Sequence, residues 1–175
     1  MMPGNTSLHR VAEYTVSRLA LGVYGLAVGV LLGFASFFLG VELAVDWPLL
    51  AWLAAALVVV VVSHEGVHGL TAVLLGYRPL FGLEPPLVYV TFRERVRRNH
   101  FILIALAPLI LLDALFAMSY AAGIVPTFAA LGFGLNTIGA IGDVWIVSKV
   151  LRHRRSDWIQ DTKAGVEIWS ARATS

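Results

Sequence analysis

Residues 54–70 read AAALVVVVVSHEGVHGL, an apolar run that ends in His64-Glu65-Gly66-Val67-His68. Uncharged sequence continues back to Pro48 and forward to Leu75, beyond which stand Gly76 and Arg78. Crossing the hydrocarbon core takes roughly 20 helical residues, so the segment 48–75 is long enough to span a bilayer. Pro48 suits the first turn of such a helix and Gly76 its C-terminal cap. All strong polarity in the span is gathered in one motif. A carboxylate near the bilayer centre costs about 2.5–3.5 kcal/mol, which points to a partner or a function for Glu65.

On a helix, residues four apart share a face, so His64 and His68 can hold one metal ion between them. Glu65 sits about a third of a turn away, within reach of a water bound to that metal. A His-Glu-x-x-His helix with this arrangement is the zincin pattern, in which the glutamate is the general base and zinc lowers the pKa of the water to about 7. The chain has no cysteine. Thiolate sites and disulfides are thereby excluded, and one zinc ion per chain must rest on His, Asp, Glu or Asn. The competing readings of the motif are a polar helix-packing cluster and a decayed site that no longer binds metal.

The remainder of the sequence agrees with a bilayer environment. Of 175 residues, 58% are apolar and 14% charged, and the mean hydropathy is +0.79. A soluble chain carries about 25% charged residues, so lipid is the natural solvent for this one. The length fits a single domain, 1–175, and no repeat is visible. Leu19–Val41 is too long for the apolar core of a signal peptide, about 7–15 residues, and reads as a retained span. Four spans result, at about 19–45, 48–75, 101–124 and 126–151, with Gly123 and Pro126 dividing the last two. Basic residues then fall on one side: Arg10 and Arg18; Arg93, Arg95, Arg97 and Arg98; Arg152, Arg154 and Arg155. The positive-inside rule makes that side cytoplasmic and gives a multi-pass cell-membrane protein with both termini in the cytoplasm. It also explains the basic clusters better than nucleic-acid binding does.

Zinc needs a third protein ligand, with the fourth position left for water. Asp113 and Asp143 are the acidic residues within the later spans. His68 and Asp143 both lie roughly 12–15 Å from the cytoplasmic surface, whereas Asp113 lies roughly 20 Å deep at 1.5 Å per residue. Depth favours Asp143 as ligand and leaves Asp113 a supporting carboxylate, hydrogen-bonded to a ligand histidine or to substrate. Asn136, two turns before Asp143, shares its face and suits either substrate positioning or helix bridging. Gly132, Gly134, Gly139 and Gly142 suit close helix packing. His100 and His153 read as interfacial and solvated residues.

Between spans two and three, Gly82 and Pro85-Pro86 punctuate a segment in which Val88, Val90 and Phe92 alternate with Tyr89 and Thr91. This pattern predicts a short cytoplasmic-side β-hairpin or edge strand. A weaker alternation around Val166–Trp169 suggests a further strand. The fold class expected is an all-α membrane protein of about four transmembrane helices with that short hairpin.

Taken together, these residues resemble intramembrane metalloproteases of the site-2 protease type, which pair His-Glu-x-x-His with an aspartate in a later helix. The later element departs from that group's Asn-Pro-Asp-Gly or Leu-Asp-Gly form, reading Asn136-Thr-Ile-Gly-Ala-Ile-Gly-Asp143-Val-Trp145. The chain is more closely similar to a small prokaryotic membrane family of zincin peptidases. That resemblance rests on His64–Gly69, Ala105-Leu-Ala-Pro108-Leu109, Gly142–Trp145 and Asp161–Trp169, and covers about residues 60–170. It implies a zincin and no particular substrate.

The function expected is hydrolysis of a peptide bond within or near the cytoplasmic leaflet by a zinc metalloendopeptidase. Zinc is held by His64, His68 and Asp143, Glu65 is catalytic, and the partners are a membrane protein or peptide substrate and the lipid bilayer. The alternative is a non-catalytic zinc-binding pseudoprotease or scaffold, against which Glu65 argues. A transporter is disfavoured by the lack of an inverted repeat.

Overall fold

The computed structural model describes residues 8–15, 17, 19, 22–27, 29–30, 47–84, 87–162 and 165–171. In chain order it contains β1 (His9–Thr15), α1 (Trp47–Leu74), β2 (Pro79–Glu84), β3 (Leu87–Phe92), β4 (Val96–Arg97), α2 (Arg98–Ala121), α3 (Pro126–Gly139), α4 (Ile141–Val150), β5 (Trp158–Thr162) and β6 (Gly165–Ser170). Among the described residues, three helical segments are long and apolar enough to cross a membrane: Trp47–Leu74, Arg98–Ala121 and Pro126–Val150. The expected span 19–45 lies largely outside the described residues; residues 22–27 and 29–30 within it are helical.

Local chemistry sets the helix ends. Gly76 adopts φ 85°, and Tyr77 N–H bonds back to Ala72 O while Gly76 N–H reaches Val73 O, so a left-handed cap closes α1 as the sequence suggested. Gly123 (φ 70°) turns the chain after α2, and Pro126 opens α3. The third span is two helices rather than one: α3 and α4 meet at Ala140, with Asn136 on the first and Asp143 on the second. Of the glycines expected to admit a close neighbour, Gly132 seats the ring of Phe116 from α2, whereas among the described residues nothing stands within 4 Å of a side chain added at Gly134 or Gly139.

The all-α expectation is corrected. Two antiparallel sheets accompany the helices, a four-stranded one in the order β1-β6-β5-β4 and the separate β2-β3 hairpin. The hairpin is the one anticipated, with Phe81 opposite Val90 and Gly82 opposite Tyr89. The larger sheet joins the two ends of the chain, pairing His9 with Ser170 and Thr15 with Gly165. Two of its three pairings, β1–β6 and β4–β5, link segments more than 60 residues apart, which local alternation cannot reveal. Val96, Ile159, Val166 and Ile168 are fully buried, in one cluster with Phe101, Ala105, Val147 and Val150 of the helices. Arg98, counted in the basic cluster before the third expected span, is 8% exposed, and its guanidinium donates to Val150 O (3.2 Å) and Leu151 O (2.9 Å). A cation there satisfies the orphan carbonyls at the end of α4. The start of α2, which directly follows β4, is thus tied to the helix that carries Asp143.

Candidate metal centre

The middle of α1 turns His64 and His68 inward, each 9% exposed, with their ring centroids 4.8 Å apart. Opposite them, the first turn of α4 presents Asp143. Its Oδ2 lies 3.1 Å from His64 Nε2 and 3.5 Å from His68 Nε2. One donor atom from each of the three residues falls within 4.8 Å of the others. Zinc bonds to nitrogen and oxygen run about 2.0–2.2 Å, which makes the edge of a tetrahedron roughly 3.3–3.6 Å. The two Asp143–histidine separations are close to that edge, and the donor set has the chemistry that zinc takes.

The other ring nitrogens explain why both histidines present Nε2. His64 Nδ1 lies 2.9 Å from Asn136 Oδ1, and His68 Nδ1 lies 2.8 Å from the Ile104 carbonyl. Each acceptor requires a proton on Nδ1, and that leaves the Nε2 lone pair for a metal. The Ile104 carbonyl is free because of Pro108, four residues later inside α2. Proline has no N–H to complete the helical bond to Ile104, and the unmatched oxygen is taken by His68.

Asn136 is fully buried and joins three groups. Beyond its bond to His64, its Nδ2 donates to Pro108 O (3.1 Å) and to Asp113 Oδ1 (2.8 Å). Asp113 Oδ2 accepts from Thr137 Oγ1 at 2.9 Å. Asp113 therefore stands behind the histidines, joined to His64 through Asn136, while Asp143 faces them directly. Glu65 accepts a hydrogen bond from the backbone N–H of Val90, which places β3 over the motif helix. The Phe81 ring of the same hairpin rests on Gly69 of α1. Of the histidines read as bystanders, His100 Nδ1 pairs with Tyr77 Oη and His153 Nε2 with Tyr14 Oη, both at 2.9 Å and away from the cluster.

A cavity of about 80 Å³ opens beside this cluster, lined by His68, Asp143, Val90, Phe92, Phe101, Ile104, Ala105, Ile146 and Asp161. Asp161, on β5, enters the sequence reading only as the first residue of a segment that carries the family resemblance, with no role at the site. Burial pushes its carboxyl up to about 6, against the opposing effects of hydrogen bonds from the Thr91 side chain and the Thr162 backbone. Its position follows from the pairing of β4 with β5, where Val96 opposes Ile159 and Arg97 opposes Trp158. The sequence signals for these missed residues were slight: one proline inside an apolar run, and one acid in a weakly alternating tail.

Apolar helices of membrane-crossing length, two buried histidines and a half-buried aspartate are features in keeping with a zincin of a membrane-spanning kind. The family described as "Putative zincin peptidase" matches residues 57–158, and the chain belongs to it. The matched region runs from α1 to the start of β5 and so holds all three donor residues. The chain is also similar to an "Uncharacterized 24.7 kDa protein in gap 5'region" of Pyrococcus woesei, at 30% identity over 154 residues, covering 84% of this chain and 68% of that protein. No solved structure matches the chain.

Proposed function

We propose that the protein is a membrane-embedded zinc peptidase that hydrolyses a peptide bond near the cytoplasmic leaflet. The observation that carries this reading is the convergence of Asp143 Oδ2 on His64 Nε2 and His68 Nε2, at 3.1 Å and 3.5 Å, with Glu65 adjacent to both histidines on their helix. His64, His68 and Asp143 would hold the metal, which supplies Lewis acidity to the scissile carbonyl and acidity to a water. Glu65 takes the proton released by the attacking water and returns it to the departing amide nitrogen. Asn136, Asp113 and the Ile104 carbonyl hold the two imidazoles in one tautomer and orientation.

The substrate segment must be extended, since a helix hides its carbonyls. β3 pairs with β2 along one edge, and its Val90 N–H points toward Glu65. The edge of β3 away from β2 is held by Val90 N–H to Glu65 and by Gln160 Nε2 to Phe92 O, and a substrate docked as an added strand would take over these two contacts beside the cavity wall that Val90 and Phe92 form. Sheet topology supports the four-span arrangement. β1 precedes α1 and β4 follows it, yet both belong to one sheet. α1 alone would carry them to opposite sides of a bilayer, so a second crossing between Thr15 and Trp47 is needed, and the apolar run 19–45 can supply it. The basic clusters then make the sheet side cytoplasmic.

Glu65→Gln tests the chemistry. The swap preserves shape and leaves the three donors in place, so zinc content is expected to be unchanged. Cleavage of a co-expressed membrane substrate is expected to fall about 10²–10⁴-fold, the usual loss for a positioned general base. Wild-type-dependent fragments that persist at full yield in Glu65→Gln would refute the mechanism and favour a non-catalytic zinc protein.

A further inference from the structure

The cavity beside the metal cluster holds a carboxyl that neither metal binding nor water activation uses. Asp161 lines its wall together with His68 and Asp143, while the rest of the lining is apolar. The donors identified around Asp161 are uncharged, the Thr91 side chain and the Thr162 backbone N–H. Among the described residues no Lys, Arg or His stands within ion-pair distance of it. A carboxyl in such a setting is costly to ionise and expensive to keep without a task.

Charge counting gives that task a sign. Asp143, Glu65 and Asp161 interact electrostatically around the site, directly or through the histidines. A zinc ion on neutral histidines would bring two positive charges against three carboxylates, leaving one negative charge in a largely apolar enclosure. Neutral water in the cavity can solvate that charge but not cancel it, and the lining beyond His68, Asp143 and Asp161 is apolar, so a ligand cation is the better match. We propose that Asp161 is a specificity-determining residue that binds an ammonium group of the substrate next to the scissile bond. The inference rests on the peptidase reading above and names its substrate class: a peptide with a free α-amine or a lysine side chain close to the cleaved bond. The raised proton affinity of Asp161 fits this role, because an arriving cation would restore the charged form that burial disfavours.

Three zinc-directed probes separate the possibilities on purified, zinc-loaded protein in detergent: N-acetyl-norleucine hydroxamate, norleucine hydroxamate with its α-amine free, and N-acetyl-lysine hydroxamate. Affinities are measured by competition with a fluorescent hydroxamate. One of the two amine-bearing probes is expected to bind wild type roughly 10–100-fold more tightly than the N-acetyl-norleucine probe, the range of a hydrogen bond to a charged partner. Which one does so distinguishes an amino terminus from a lysine side chain. Asp161→Asn is expected to abolish that preference while keeping the zinc content and the affinity for N-acetyl-norleucine hydroxamate. Equal affinity of wild type for all three probes, or a preference that survives in Asp161→Asn, overturns the inference and leaves the peptidase reading intact. Failure to load zinc, with no probe binding, overturns both.

Discussion

Replacing Pro108 by alanine sets helix regularity against the metal site. The substituted residue would carry an N–H aimed at the Ile104 carbonyl, the oxygen that now holds His68 Nδ1 at 2.8 Å. Alanine is favoured over proline inside a helix by about 3 kcal/mol, a gain available only if the new bond to Ile104 forms. A carbonyl has two lone pairs, so His68 need not be displaced outright, but the oxygen would be drawn back toward the helix axis. Losing the outer partner of a metal-binding histidine typically lowers metal affinity about 10–100-fold. With the carbonyl shared, the lower end applies, and zinc affinity is expected to fall about tenfold, or roughly 1.4 kcal/mol. The metal-free protein should meanwhile melt no lower than wild type. Chelator competition gives the first quantity, and thermal unfolding of chelator-stripped protein in the same detergent gives the second. Unchanged zinc affinity would show that the His68 contact does not depend on the proline. A fall in affinity matched by a fall in metal-free stability would reduce Pro108 to a packing residue.

Two further outcomes follow from the same geometry. Asp143→Ala is expected to weaken zinc binding far more than Asp113→Ala, because Asp143 faces both Nε2 atoms while Asp113 reaches His64 only through Asn136; chelator titration showing the reverse order would move the third ligand. The carboxyl of Asp161, raised from 3.8 to about 6, makes the metal-free native state the better proton binder between those values. Its contribution to stability is therefore present at low pH and lost as pH rises toward 6, by at most about 3 kcal/mol. Melting curves should show wild type losing stability between about pH 4 and 6 relative to Asp161→Asn, and parallel curves would contradict the assignment.

The helices were legible because lipid imposes a coarse rule on composition, and the capping residues Gly76 and Pro126 stand where the chain has to stop and start. Proximity of Asp143 to the histidines was legible for a related reason, since residues at equal depth in neighbouring spans can meet. Asn136 was legible as a member of the Asp143 face, but not as the link between Asp113 and His64, because that depends on how α2 and α3 pack. The four-stranded sheet was hidden because His9–Thr15 and Gly165–Ser170 gain their meaning only from each other. Pro108 illustrates a third limit. A proline within a span announces a missing helical bond, but which side chain takes the freed carbonyl is settled by the neighbouring helix. Asp161 was unreadable for the same reason as the sheet, for only the β4–β5 pairing carries it to the cavity.

The zinc content of purified protein bears most directly on the metal centre. Elemental analysis after removal of loosely bound metal should give about one zinc per wild-type chain, as three protein donors with an open fourth position require. His64→Ala, His68→Ala and Asp143→Ala, purified in parallel and folded by circular dichroism, should each lose most of it. Wild-type protein without zinc that also fails to take it up on titration, or variants that keep the full complement, would contradict a centre built on these three residues.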